Sequence, residues 1–157
     1  MARSPDFLRA SAPPRFKPMT TDARLRVRYA ETDRMGVVYH SNFIVWFEVG
    51  RVEMLRAMGY RYRDIEREFD CHFAVVDVRC RYKAPAYYDD EIIIRTHLKN
   101  VRGSLMHFSY EVIRAGDNAL LAEGESTHIV VNAKFEKTSL PEPLQKAFEA
   151  AVKQDSL

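Results

Sequence analysis

The chain has 157 residues, of which 46% are apolar and 29% charged, and its formal net charge is +2. This length suits one domain with its own hydrophobic core, and the composition is ordinary for a globular protein. Residues 1–20 contain four basic residues and one acidic residue, so the rest of the chain is nearly neutral. Because residues 21–157 carry almost no net charge, they lack the broad basic surface that nucleic-acid binding requires. This argues against a nucleic acid as partner.

The first 20 residues differ in composition from the rest. They hold four prolines among small and basic residues, which predicts a flexible basic leader. We expect residues 21–152 to form a single domain and residues 153–157 a short tail. The amino-terminal region has no apolar stretch, and no run of 18 apolar residues occurs, so we expect neither a secretory signal nor membrane insertion. A cytoplasmic protein with two reduced thiols, Cys71 and Cys80, is the resulting expectation.

Most of the domain has the pattern of β-strands. Apolar residues alternate with charged residues in residues 24–29 and 76–82, and residues 91–98 are rich in isoleucine. A turn near residues 100–103 leads into residues 105–114, where one face carries Met106, Phe108, Tyr110 and Val112. Residues 115–118 are a strong hairpin signal before a last strand at about residues 120–131. One side of that strand has small or polar residues that would allow close packing: Ala122, Gly124, Ser126 and His128.

Residues 41–58 form the one internal segment with a strong helical pattern. Apolar residues occupy most of its sides, so we expect it to be largely enclosed. Its charged residues form two plausible i,i+3 pairs, Glu48 with Arg51 and Glu53 with Arg56. Gly50 costs about 1 kcal/mol relative to alanine in mid-helix, which predicts a close packing contact there. Its bulky aromatic residues could either narrow a substrate pocket or fill the core, and the core is the better interpretation for Phe43, Trp46 and Phe47.

The order of elements is one strand, a long helix, and four strands joined by short turns, with a terminal helix at residues 142–152. This order predicts an α+β domain in which an antiparallel sheet of about five strands curls around a single helix. The edge strands of such a sheet leave backbone groups unpaired, which favours association with a second copy of the chain.

The most unusual segment is residues 31–42, ETDRMGVVYHSN, between the first strand and the long helix. Ser41 or Asn42 is a suitable N-cap, and the unpaired N–H groups of a helix start can bind a carbonyl oxygen that gains negative charge. Gly36 would let the backbone fold back so that Asp33 lies beside the same point. A carboxylate and an oxyanion site are the minimum for transferring an acyl group to water. Taken alone, the pattern leaves open that Asp33 is an ordinary turn residue.

The run YAETDRMGVVYHSNFIVWFEVGR, residues 29–51, resembles the signature of the YbgC-like branch of the 4-hydroxybenzoyl-CoA thioesterase family. The likeness continues through the motifs at residues 83–85, 102–104, 131–132 and 140–141, and it covers about residues 22–150. It implies a hotdog fold, in which the sheet wraps a central helix. It also implies a homodimer or homotetramer with active sites at the subunit interface, and hydrolysis of an acyl-CoA thioester without a metal or other cofactor, in lipid metabolism.

Carried over by position, the resemblance makes Asp33 the catalytic carboxylate, acting as a general base toward water or as a nucleophile. The backbone N–H of His40 would polarise the thioester carbonyl, while Tyr39 and the His40 side chain would line the acyl pocket. Three neighbours are expected to contact the substrate: Gly36, Val37 and Ser41. The rival carboxylate is Glu48, because a second type of hotdog thioesterase has its catalytic acid on the central helix. Otherwise Glu48 is a helix charge near the substrate, paired with Arg51.

The CoA part of the substrate needs basic groups and a strand edge. The resemblance points to turns and strand ends near the subunit interface, which here are Arg102, Gly103, Ser104, Lys134 and Lys137. Residues 137–139, Lys-Thr-Ser, depart from the usual basic residue followed by proline, which puts the last phosphate contact in doubt.

Several alternatives stay open at this stage. The acyl group could be carried on acyl carrier protein rather than CoA, and a non-catalytic acyl-CoA-binding module is a further possibility, although an intact Asp33 argues against it. A hydratase or dehydratase is a less favoured enzyme class, because the catalytic His-Asp arrangement of those enzymes is not recognisable in this sequence. The histidines have no metal-ligand spacing, and the sequence contains no Gly-x-Ser-x-Gly elbow. Acyl chain length is open, and so is the choice between aromatic and aliphatic acyl groups. The resemblance favours aliphatic groups, because the Tyr39-His40 pair is typical of the YbgC-like branch.

Overall fold

The computed structural model describes residues 20–155, so the predicted leader lies outside it except for Thr20. The described chain folds into five strands and three helices. The strands are β1 (Thr20–Arg26), β2 (His72–Tyr82), β3 (Glu91–Arg102), β4 (Leu105–Arg114) and β5 (Leu120–Val131). The helices are α1 (Ser41–Ala57), α2 (Tyr62–Phe69) and α3 (Glu142–Asp155), and a short 3-10 turn covers Tyr29–Glu31.

The five strands form one antiparallel sheet in the order β1-β3-β4-β5-β2. Helix α1 contacts strands β1 to β4, and its Phe47 ring lies against Gly124 of β5. One long helix therefore touches every strand of the sheet, as the predicted hotdog architecture requires. The faces predicted for β4 and β5 are confirmed, because Met106, Phe108, Tyr110 and Val112 are all buried, as are Ala122, Gly124, Ser126 and His128.

Helix α1 buries one side and exposes the other. Phe43, Trp46 and Phe47 are in the core, as predicted, and the Phe47 ring stacks on Tyr110 at 4.3 Å. The expectation that the helix is largely enclosed is wrong for the single chain, because Ile44 and Val45 are 39% and 50% exposed. These two residues lie on the side of α1 that faces away from the sheet.

The close packing contact predicted at Gly50 is confirmed. A Cβ atom at this position would overlap the Thr96 hydroxyl and lie 2.9 Å from Ile94 Cγ2, both on β3. Thr96 and Ile94 are fully buried, so neither can move away easily. Gly50 therefore lets α1 approach the middle of the sheet.

The element boundaries differ from the prediction in several places, and β2 and β3 are each four residues longer than predicted. Helix α2 was missed because its eight residues give too short a pattern, although Ile65 and Phe69 share one face. Strand β1 starts at Thr20 and ends at Arg26, since the chain turns into the 3-10 segment at Tyr29–Glu31. Helix α3 continues to Asp155, beyond the predicted end of the domain at residue 152.

Replacing Gly50 with alanine should destabilise the fold. Alanine gains about 1 kcal/mol in helix propensity, but overpacking a buried contact typically costs about 1–3 kcal/mol, and the rigid Thr96 side chain puts this site at the upper end. We expect a net loss of roughly 1–2 kcal/mol in urea unfolding. Gly116→Ala is the matched control, because no heavy atom of the described chain lies within 4 Å of its added Cβ. Equal stability of the two variants would contradict the packing role.

Candidate active site

Asp33 lies at the first corner of a tight turn between β1 and α1. Its N–H donates to the Val37 carbonyl at 2.8 Å, and the Gly36 N–H donates to the Asp33 carbonyl at 3.0 Å. Gly36 has a φ of +79°, so the turn needs the left-handed conformation that glycine adopts without strain. The Met35 N–H donates to Asp33 Oδ1 at 2.8 Å. This bond holds one carboxylate oxygen and leaves Oδ2 without a partner among the described residues.

The start of α1 leaves two backbone donors open. His40 already has helical dihedral angles (φ −54°, ψ −34°) and occupies the N-cap position without a side-chain cap. The predicted N-cap, Ser41 or Asn42, is therefore wrong, and the Asn42 side chain instead donates to the Glu31 carbonyl at 2.9 Å. Within residues 20–155, the N–H groups of His40 and Ser41 donate to no acceptor. They lie at the positive end of the dipole of a 17-residue helix.

A cavity of about 350 Å³ lies between this loop and the end of β2. Asp33 and His40 both belong to its wall, so the carboxylate and the open helix start border one space. The remaining wall is mainly apolar and consists of Met35, Val37, Val38, Phe43, Tyr82, Lys83, Ala84 and Pro85. A mainly apolar cavity with a few polar groups is typical of a small-molecule site.

Tyr82, the last residue of β2, connects that strand to the helix start. Its hydroxyl donates to the His40 carbonyl at 2.8 Å, and the edge of its ring packs against Phe43 with the centroids 5.2 Å apart. Desolvation, and secondarily Cys80, raises the pKa of Tyr82 to about 12, so the hydroxyl keeps its proton at neutral pH. From the sequence, Tyr82 was predicted only to be a strand residue. Its position directly before the motif Lys83-Ala84-Pro85 could have indicated that it belongs to the site.

Glu31 is a second residue that sequence analysis missed. Its side chain is buried beneath the loop, where Oε2 accepts the Trp46 indole N–H at 2.8 Å and Oε1 accepts the Arg28 N–H at 2.8 Å. Its backbone carbonyl accepts the Tyr39 N–H at 2.8 Å as well as the Asn42 side chain. The residue therefore contacts both ends of the loop that carries Asp33.

The structure brings some of the predicted site residues together and separates others. Asp33, Val37 and His40 line the cavity, whereas Gly36, Tyr39 and Ser41 lie beside it without forming its wall. The Tyr39 ring packs on the His40 ring at a centroid distance of 4.3 Å. Glu48 is exposed on α1 and is not part of the wall.

The predicted ion pair between Glu48 and Arg51 is wrong, while the one between Glu53 and Arg56 is confirmed. Arg51 turns inward and donates to the Tyr110 hydroxyl at 3.0 Å. Tyr110 in turn bonds to Ser126, and Ser126 bonds to His128 Nε2 at 2.8 Å. The buried hydroxyl attracts the guanidinium away from the helix surface, so Glu48 has no ion-pair partner within the described chain.

The residues predicted to bind CoA cluster with one another but not with Asp33. Ser104 Oγ donates to the Thr138 carbonyl at 2.7 Å, so the turn at residues 102–104 lies against the segment that carries Lys137. Both segments lie at the end of the sheet where β2 begins, since His72 pairs with Val131. The cavity lies where β2 ends. β2 has 11 residues, which separates its ends by about 33 Å at roughly 3.3 Å per residue.

Other kinds of site find no support in the part of the chain that the structure describes. There, no group of three or more His, Cys, Asp or Glu side chains is arranged to hold a metal ion. None of the helices of residues 20–155 combines the length and hydropathy that crossing a membrane requires. Cys71 and Cys80 are both free thiols.

Comparisons with known proteins agree with this geometry. Residues 27–148 match the model of the Thioesterase-like superfamily. The putative acyl-CoA thioesterase YneP of Bacillus subtilis is 36% identical over 125 residues, 79% of this chain and 86% of the relative. The acyl-CoA thioester hydrolase YbgC of Escherichia coli O6:H1 is 32% identical over 126 residues, 80% of this chain and 92% of the relative. The crystal structure of a DHNA-CoA thioesterase from Staphylococcus aureus superposes with a TM-score of 0.79 at 27% identity, covering 88% of this chain and 92% of that one.

The chain belongs to the Thioesterase-like superfamily, and within it to the YbgC-like hotdog thioesterases. The resemblance noted in the sequence is confirmed by these matches.

His128 should make the fold sensitive to acid. Burial, and secondarily the charge of Arg51, lowers the pKa of His128 to about 3 in the folded protein, against about 6.5 in an unfolded chain. Between these pH values only the unfolded state takes up the proton, so stability falls as pH decreases through this window. From pH 7.5 to pH 5.0 we expect native protein to lose roughly 2 kcal/mol more unfolding free energy than His128→Gln, measured with urea. Equal losses would contradict a buried neutral imidazole.

Proposed function

We propose that the protein hydrolyses an acyl-CoA thioester to the free acid and CoA, in the cavity between the Asp33 loop and the end of β2. The observation that carries this proposal is the shared wall: Asp33 and the helix start at His40 border the same mainly apolar space. The names of the relatives, putative acyl-CoA thioesterase and acyl-CoA thioester hydrolase, support the same reaction.

The carbonyl oxygen of the thioester would accept a hydrogen bond from the His40 N–H. That donor is unpaired in the described chain, and the positive end of the α1 dipole favours the negative charge that develops on the oxygen. A fixed backbone donor needs no reorganisation during the reaction, which is why such donors contribute strongly to turnover. The apolar wall residues would hold the acyl group.

Asp33 would act through Oδ2, the oxygen that the Met35 N–H does not hold. As a general base, it takes a proton from water while the water oxygen attacks the carbonyl carbon; the C–S bond then breaks, and the thiolate recovers the proton. As a nucleophile, it attacks the carbon itself, expels the thiolate and forms a mixed anhydride that water hydrolyses. Both routes need the ionised carboxylate and the same position of the carbonyl.

The CoA-binding residues suggest that two chains build each site. Arg102, Lys134 and Lys137 lie at the far end of the sheet, about 33 Å along β2 from the cavity. If β2 pairs antiparallel with β2 of a second copy, the start of one strand lies beside the end of the other. The basic turns of the second copy then approach the Asp33 cavity and can hold the CoA phosphates.

The exposed edge of β2 supports this pairing. Among the strands of residues 20–155, β2 is an outer one, and it is bonded to β5 on one side only. Val75 and Val76 on this strand are 55% and 54% exposed. An open edge with exposed β-branched residues is a surface that proteins normally cover. The exposed Ile44 and Val45 of α1 add apolar surface for the same association. We therefore propose a homodimer; a homotetramer would need a further interface.

Asp33→Asn should abolish thiol release from the preferred acyl-CoA. The asparagine Oδ1 can still accept the Met35 N–H, so the turn is kept while the basic oxygen is lost, and we expect a fall of about 10²–10⁴ in kcat. The assay is thiol release from short, long and aromatic acyl-CoAs. Asp117→Asn is the matched control, because Asp117 also accepts a backbone N–H two residues later, that of Ala119.

Each outcome of that assay has a meaning. Unchanged release in Asp33→Asn would contradict the assignment and move it to Glu48. A native protein that releases no thiol from acyl-CoA would contradict the proposed substrate, and thioesters of acyl carrier protein would then be the next panel. Binding of acyl-CoA without turnover of either kind of thioester would indicate a non-catalytic module.

Val75→Asp should separate the proposed dimer into monomers, since it introduces a charge at the apolar β2 edge. We expect light scattering to report the mass of one chain rather than two. Thiol release should fall at the same time, because each site loses the second copy's basic turns. Val75→Thr keeps the shape without a charge and should remain dimeric and active. A monomeric native protein with full activity would contradict the two-chain site.

A further inference from the structure

Glu31 is an acidic side chain buried where a charge is costly. It is 5% exposed, and removing a carboxylate from water is unfavourable unless donors replace the lost hydration. The donors are the Trp46 indole N–H at 2.8 Å, the Arg28 N–H at 2.8 Å, and the Arg28 guanidinium, whose Nε lies 3.4 Å away. Arg28 lies just before the 3-10 turn and Trp46 lies in α1, so the carboxylate ties the segment before the loop to the second turn of α1.

The backbone of Glu31 closes the loop from the other side. Its carbonyl accepts the N–H of Tyr39, the residue before His40, and the side chain of Asn42 in the first turn of α1. The loop from Asp33 to Val38 is thus held between two fixed points: Glu31 lies two residues before Asp33, and Tyr39 lies one residue before His40. These bonds therefore contribute to the distance between the Asp33 carboxylate and the open N–H of His40.

Hydrogen bonds fix direction as well as distance, whereas an apolar contact of the same area would fix neither closely. A displacement of about 1 Å at a reacting group can cost about 10²-fold in rate. Bonds within the loop, and the bond from the Val38 N–H to the Ala86 carbonyl, fix the shape of the loop itself. The contacts of Glu31 add the link between the segment before the loop and the start of α1.

We propose that Glu31 is a positioning residue, which holds Asp33 and the His40 N–H in register with one another through Trp46, Arg28, Tyr39 and Asn42. This inference rests on the proposed function. Glu31 is not a wall residue of the cavity, so it acts through the loop.

Glu31→Gln is the first test, because it keeps the shape of the side chain but replaces one acceptor oxygen with an NH2 group. That group must face either the Trp46 indole N–H or the Arg28 N–H, and two donors cannot form a hydrogen bond. We expect kcat to fall about 10–100-fold with KM changed less than about threefold. The pH dependence of kcat/KM should keep its native shape, because Asp33 still sets it. Glu53→Gln is the matched control: it removes a carboxylate from an ion pair on α1, away from the loop, and should keep native kcat.

A second variant tests the same link in case Glu31→Gln does not fold. Trp46→Phe keeps both carboxylate oxygens of Glu31 and removes one of its donors, so kcat should fall less than in Glu31→Gln. In the double variant the amide no longer meets the indole N–H, so kcat should be no lower than in Glu31→Gln alone. Multiplicative losses in the double variant would mean that the two residues act independently, which would overturn the proposal, as would native kcat in Glu31→Gln.

Amide hydrogen exchange separates this inference from the proposed function. In Glu31→Gln the amides of Asp33 and Tyr39 should exchange faster, at least tenfold, while the amide of Met54 in α1 keeps its protection. If native protein hydrolyses no acyl-CoA, the reaction proposal fails, but faster exchange at these two amides would still support the positioning role. Unchanged exchange at Asp33 and Tyr39 would overturn it whatever the activity.

Discussion

The carboxylate of Glu31 is buried under the loop that carries Asp33, and it can stay there only while donors surround it. The indole N–H of Trp46 and the N–H of Arg28 fill this role, and each belongs to a different flank of the loop. Because an unpaired buried carboxylate is strongly unfavourable, the flanks cannot move apart without a large cost. The backbone carbonyl of Glu31 adds to this link, because it accepts the Tyr39 N–H and the Asn42 side chain at the start of α1.

The sheet imposes a second constraint on the site. Its cavity and its cluster of basic turns lie at opposite ends of β2, so within one chain Arg102, Lys134 and Lys137 lie far from the proposed reaction centre. Antiparallel pairing along β2 would join the two halves and cover the exposed valines at the same time. One dimer interface would therefore both cover the exposed edge strand and complete the site. For this reason dimerisation is part of the proposed function.

Residue periodicity predicted much of the fold. Alternation identified the buried faces of β4 and β5, and the apolar pattern of α1 marked both its core residues and the close approach at Gly50. Asp33 and His40 were found through the local motif, and they do share a cavity. What local patterns could not reveal depends on distant contacts. Arg51 looked like the partner of Glu48, but Tyr110, 59 residues away, binds it. The role of Asn42 likewise depends on Glu31, and α2 was too short for a recognisable period.

The most direct measurement is a crystal structure of the protein with an unreactive acyl-CoA analogue in which a ketone replaces the thioester. We expect the ketone oxygen within about 2.7–3.1 Å of the His40 nitrogen, with an Asp33 oxygen next to the carbonyl carbon or to a bound water. The CoA phosphates should lie on the basic turns of a second copy. A ketone bound beside Glu48, with Asp33 remote from it, would contradict the proposed site.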